Sequence, residues 1–153
     1  FAGLMITDSG PKLIEYNVRF GDPECQCLMM RLGGQFLDLL HACAQQRLHE
    51  VQANWADDHA LTIVMAAKGY PGTYEKGSVI KGLDSQPQDS FHMIFHAGTT
   101  DVGGQITATG GRVLNITARG ATLAQAHEKA YAMAQSIVWK EGFYRSDIGW
   151  RAL

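Results

Sequence analysis

The stretch Lys12 to Phe20 alternates apolar and polar side chains, and the turn Asp8-Ser9-Gly10-Pro11 separates it from the apolar run Ala2 to Thr7. A period of two between turn residues predicts a β-hairpin. On the second strand Ile14, Tyr16, Val18 and Phe20 fall on one face, an apolar set suited to a core. Leu13, Glu15, Asn17 and Arg19 fall on the other. Asp22-Pro23 follows with the chemistry of a helix start, Asp22 as cap and proline at the first helical position. Leu28, Met29, Leu32, Phe36, Leu39, Leu40 and Cys43 then recur at helical spacing, and Gly33-Gly34 predicts two helices or one kinked helix.

A polar stretch, His49 to His59, has no periodic core signal and is the candidate boundary. Beyond it Leu61 to Ala67 reads as a buried strand, Tyr70-Pro71-Gly72-Thr73 as a turn, and Lys76 to Pro87 as loop with a short strand at Val79-Ile80. Phe91 to Ala97 alternates, with Phe91, Met93 and Phe95 on its apolar face and His92 and His96 on its polar one. Gln105 to Thr109 and Arg112 to Arg119 follow paired glycines, as in an antiparallel meander. Thr122 and Gln125 form a capping box ahead of a helix from Leu123 to about Trp139, whose Leu123, Ala126, Ala130, Ala134 and Ile137 make one apolar stripe. The fold class is therefore α+β: a hairpin and helices, then a small antiparallel sheet backed by a helix.

With 46% hydrophobic residues in 153, the chain can build a packed core. A net charge of −2 without a Lys/Arg cluster argues against a nucleic-acid binder, and no apolar run approaches membrane-helix length. Cys25, Cys27 and Cys43 make an odd count that fits buried free thiols in a reducing, cytoplasmic setting. The chain begins at Phe1 with no charged leader ahead of an apolar core, so no signal peptide is expected.

The polar face of the second strand carries the chemistry. Glu15 and Asn17 offer the oxygen ligands a hard cation takes, and Arg19 suits bidentate capture of carboxylate or phosphate, each about 7 Å from the next. A half-exposed strand with a solvated polar face satisfies the same spacing, which leaves both readings open. Gly110-Gly111-Arg112 suits backbone approach to a phosphate with Arg112 as charged partner, and equally suits a plain hairpin turn. Lys68 reads as an exposed turn lysine or as lining a nucleotide or sugar.

The run EYNVRFGDPE, Glu15 to Glu24, closely resembles the signature of the phosphoribosylamine–glycine ligase (glycinamide ribonucleotide synthetase) family of ATP-grasp enzymes. AGLMIT before the hairpin, KGYPGTYEKG at Lys68 to Gly77, FHAGT at Phe95 to Thr99, GGRVLNITA at Gly110 to Ala118 and GFYRSDIG at Gly142 to Gly149 resemble the same family in the same order. The resemblance implies that Glu15 and Asn17 hold Mg2+ (or Mn2+) on the phosphates of ATP, and that Arg19 holds the glycine carboxylate or its acyl phosphate as the catalytic residue. Asp22 is implied as a contact for the amine of glycine or phosphoribosylamine, and Gly111 and Arg112 stand as candidate substrate contacts on the backbone-approach reading of their turn. The implied reaction joins glycine to 5-phosphoribosylamine through glycyl phosphate.

The family's adenine strand and glycine-rich lid lie upstream of the signature and have no counterpart here. The chain is accordingly read as a piece: residues 1–48 as the end of an ATP-grasp domain and 49–153 as the C-terminal domain. By itself it is expected to be inactive, to require the upstream half as partner, and to leave the hairpin without sheet neighbours. A non-catalytic assembly module, or an ATP-grasp ligase for a different acid, are the alternatives.

Overall fold

The computed structural model describes residues 1–153. Strands β1 (Ala2–Thr7) and β2 (Gly10–Tyr16) form the expected hairpin, with Gly10 at φ +97° and the Thr7 hydroxyl donating to the Gly10 carbonyl at 2.7 Å. β2 ends at Tyr16, four residues short of the alternating stretch. Beyond it the chain makes one more pairing, between the backbones of Asn17 and Phe1, and then bends. Val18 and Phe20 are therefore not strand residues. The apolar face suited to a core is open, as expected of a hairpin without sheet neighbours: Ile14 is 63% exposed and Val18 fully so.

Helix α1 (Glu24–Leu32), a 3-10 turn at Gly33–Gln35 and α2 (Phe36–Ala44) realise the two-helix reading, the break falling at Gly33 with φ +57°. Asp22 does not cap α1. Pro23 occupies the cap position without a side-chain bond, and the Asp22 carboxylate is drawn away to Arg112. The three thiols are free; Cys25 and Cys27 are half-buried, whereas Cys43 is exposed rather than buried. Burial pushes the Cys27 thiol up to about 11, opposed by nearby Arg31. The boundary stretch is strapped to the helices: Arg31 donates to the Ala56 carbonyl at 2.8 Å, and Gln35 and Asn54 exchange two hydrogen bonds.

A four-stranded antiparallel sheet follows, in the order β4 (His92–His96), β7 (Arg112–Gly120), β3 (His59–Ala67), β8 (Gly142–Phe143). It is not a simple meander. β5 (Thr99–Val102) and β6 (Gln105–Ala108) form a separate hairpin inserted between neighbours β4 and β7. The insertion is pinched at its base, where a Cβ on Gly98 would lie 2.6 Å from the Gly110 Cα.

Register assigns the two faces of the sheet. Leu61, Ile63 and Met65 pair with Ala118, Ile116 and Leu114, and Ile94 joins them opposite Ile116. This apolar face packs on α3 (Leu123–Ser136) through Ala126, Ala130 and Ala134, all buried. His92 and His96 share that face, opposite Ala118 and Leu114, and reach solvent only because β4 is an edge strand; the expectation of a separate polar face is corrected. Met93 and Phe95 do share the other face of β4 and border a cleft with Met29 and Met30 of α1, whereas Phe91 lies just before the strand with its ring against Arg119 and Lys129. Helix α3 starts as expected, the Thr122 hydroxyl accepting from Gln125 N–H at 3.2 Å. It stops at Ser136 rather than Trp139, because Val138 pairs its backbone with Lys81. The sheet thus lies between α3 on one side and α1 on the other, an α+β architecture as expected.

Candidate functional site

Glu15 lies on β2 opposite Gly3, whose missing side chain leaves room for the Glu15 stem: a Cβ there would sit 3.2 Å from the Glu15 Cγ. No hydrogen bond or ion pair engages the Glu15 carboxylate. Asn17 stands just past the strand end, anchored by its backbone bonds to Phe1. Its amide oxygen accepts from Arg19 Nη1, while its amide nitrogen is buried without a partner. Arg19 Nη1 also donates to the Phe20 carbonyl at 3.1 Å. The evenly spaced row of three expected from an uninterrupted strand is therefore corrected: the strand ends, and Arg19 folds back onto Asn17.

Asn17 and Arg19, though not Glu15, border an open groove of about 670 Å³ lined also by Phe1, Phe20, Phe36 and Leu40. The Phe20 and Phe36 rings meet at 5.6 Å between centroids. The donor types are chemically suited to magnesium or manganese, with one carboxylate unengaged and one amide oxygen two residues further on. A cation taking the Asn17 oxygen would meet Arg19 already on it, and repulsion between the two positive groups sets them in competition.

Asp22 and Arg112 are brought together from 90 residues apart. Arg112 Nη1 donates to the Asp22 carbonyl at 2.9 Å, and Nη2 lies 3.2 Å from the Asp22 carboxylate. Gly111, expected to admit a phosphate, is covered: a Cβ on it would fall 2.2 Å from the Tyr70 ring. Lys68 borders a small cleft with Glu75, Lys140 and Glu141. Arg145 and Asp147 pair with each other at 2.7 Å on the surface, and that contact lowers the Asp147 carboxyl and raises the Arg145 guanidinium.

Three buried features escaped the sequence reading. Arg119 donates to both oxygens of Asp58, to the Met30 carbonyl at 2.8 Å and to the Ser90 carbonyl, tying β7 to α1 and the boundary stretch. Thr62 and Thr117 share a hydrogen bond across β3 and β7 at 2.8 Å. Asn115 is wholly buried with neither amide atom partnered. Period-two alternation on β7 puts Asn115, Thr117 and Arg119 on one face, a signal hidden by the apolar neighbours on the other.

The model of the phosphoribosylglycinamide synthetase C domain matches residues 60–151, and that of the phosphoribosylglycinamide synthetase ATP-grasp (A) domain matches residues 1–25. Among curated relatives, the phosphoribosylamine–glycine ligase of Brucella melitensis is 60% identical over 153 residues, all of this chain and 36% of that protein. The Mesorhizobium japonicum ligase is 58% identical over the same share. The chloroplastic ligase of Arabidopsis thaliana is 53% identical over 157 residues, 30% of its length. A crystal structure of phosphoribosylamine–glycine ligase from Thermotoga maritima superposes with a TM-score of 0.76 at 32% identity, covering 95% of this chain and 35% of that one. The chain thus spans about a third of the length of the relatives it matches, and these matches bear out the resemblance read from its motifs.

Proposed function

The chain belongs to the phosphoribosylglycinamide synthetase family, and we propose that it carries the metal-bearing strand and the C-terminal domain of an ATP-dependent ligase joining glycine to 5-phosphoribosylamine. Residues 1–48 are the end of the ATP-grasp domain and 49–153 the C-terminal domain, a division supported by matches falling on either side of it. The observation that carries the reading is the run at the end of β2: a Glu15 carboxylate with no partner and, two residues on, the Asn17 oxygen with the Arg19 guanidinium in contact with it.

In this reading a glycine carboxylate oxygen attacks the γ-phosphorus of ATP and the bond to ADP breaks, giving glycyl phosphate. The amine of 5-phosphoribosylamine then attacks the acyl carbon and phosphate leaves, giving glycinamide ribonucleotide. Glu15 and Asn17 would hold magnesium or manganese, which supplies charge neutralisation at the phosphates. Arg19 exchanges the Asn17 oxygen for the glycine carboxylate, a charge-assisted contact stronger than the one it leaves. Asp22, at the following turn, accepts from the incoming amine. With Gly111 covered and Arg112 committed to Asp22, those two residues serve this site from behind. The chemistry asks for positioning and charge stabilisation, not a protein nucleophile.

The nucleotide clamp of an ATP-grasp needs two halves, so the chain alone turns over nothing. A cytoplasmic location belongs to the same reading; no helix is long and apolar enough to cross a membrane. The test is a chimera in which this chain replaces the matching segment of the Brucella melitensis ligase. ADP release that requires both glycine and 5-phosphoribosylamine is expected. A folded chimera that releases no ADP, or releases it without glycine, would overturn the reading.

A further inference from the structure

The Gly110-Gly111 turn is braced on both sides. A Cβ on Gly110 would lie 2.9 Å from the Gly98 Cα, and Gly111 abuts the Tyr70 ring. Thr109 and Gly110 N–H donate to the Gly98 carbonyl at 2.7 and 3.2 Å, Gly98 N–H to the Arg112 carbonyl at 3.1 Å, and Ala67 N–H to the Gly111 carbonyl at 2.8 Å. Close-packed backbone of this kind has no room to yield, so Arg112 projects from a rigid base.

The segment it reaches is different in kind. Between the end of β2 and the start of α1, residues 17–23 belong to no strand or helix, and Val18 is fully exposed. Arg112 grips that segment at two points of one residue, the carbonyl and the carboxylate of Asp22. Two contacts from one planar guanidinium fix orientation as well as position, where one contact would leave a swivel. The grip lies three residues from Arg19.

We infer that Arg112 is a positioning residue: it holds the Arg19–Asp22 turn through Asp22 and thereby sets where Arg19 and Asp22 meet substrate, without touching substrate itself. The catalytic consequence rests on the proposed reaction; the positional part stands on the ion pair alone.

Two measurements test it. In this chain, hydrogen exchange of the Cys25 amide, whose N–H donates to the Gly21 carbonyl at 3.0 Å, is expected to rise about tenfold in Arg112→Ala while the Leu114–Arg119 amides keep their protection. Arg112→Lys, which retains the charge, recovers part of the loss. Unchanged exchange at the Cys25 amide overturns the inference whatever the kinetics show. In the chimera, Arg112→Ala is expected to raise KM for glycine about tenfold, and to cost less than about threefold when Asp22→Ala is already present. Equal costs in the two backgrounds mean that Arg112 meets substrate directly, and overturn the inference. A chimera with no turnover at all contradicts the proposed reaction instead, and the exchange result then decides the positioning role.

Discussion

Arg19 donates a guanidinium N–H to the amide oxygen of Asn17, the oxygen a divalent cation would use at this site. In the proposed reading one atom therefore has two cationic suitors, and a cation competes with Arg19 for it. An exposed contact of this kind is modest, about 0.5–1 kcal/mol, so a cation with phosphate oxygens to share displaces it readily.

Removing the competitor should tighten cation binding. Arg19→Ala is expected to bind Mn2+ about two- to fivefold more tightly than the unaltered chain, with Glu15→Ala weakening it. Calorimetric titration without nucleotide reads this directly. Weaker binding in Arg19→Ala would show that Arg19 supports the cation site and does not compete for it.

The latch formed by Arg119 and Asp58 should matter more to stability than any surface pair. Both side chains are 15% exposed, and Arg119 spends its donors on Asp58, Met30 and Ser90. Asp58→Ala strands a largely buried guanidinium and is expected to cost about 3 kcal/mol, read from urea unfolding. A loss near that of an exposed pair, such as Arg47→Ala opposite Glu50, would mean solvent reaches the latch.

A pH dependence follows from Asp89, whose carboxylate accepts from the N–H of Phe91 at 2.7 Å and of His92 at 2.8 Å. The Phe91 N–H is the larger cause holding this carboxyl below its ordinary 3.8, with the His92 contacts adding to it. A carboxyl lowered by folding contributes stability that is present above its ordinary value and lost as pH falls through the folded one. The gap in urea midpoint between the unaltered chain and Asp89→Ala should therefore be wide at pH 6 and narrow at pH 3. A gap unchanged between those values would contradict the assignment.

What was legible in the sequence was what neighbouring residues decide. The Thr122–Gln125 box, the break at Gly33 and the Thr7–Gly10 turn each depend on contacts within a few positions. The Arg19–Asn17 contact is local too, but alternation alone fits a solvated polar face equally well, and the roles proposed for Glu15, Asn17 and Arg19 come from the family resemblance. Distant partners hid the remainder. Asp22 has the local chemistry of a cap, yet a guanidinium 90 residues away claims its carboxylate. The alternation through Val18 and Phe20 continues past Tyr16, where β2 ends. The excursion of β5 and β6 out of the sheet depends on Gly98 meeting Gly110, a contact no periodicity encodes.

The most direct test of the account is the Mg2+ dependence of turnover in the chimera with Glu15 and Asn17 altered. Glu15→Ala and Asn17→Ala should each lower kcat/KM for ATP at least about a hundredfold, a loss of about 2.7 kcal/mol in transition-state stabilisation, with unfolding midpoints unchanged. Turnover and Mg2+ dependence that survive both substitutions would contradict the claim that this strand holds the metal.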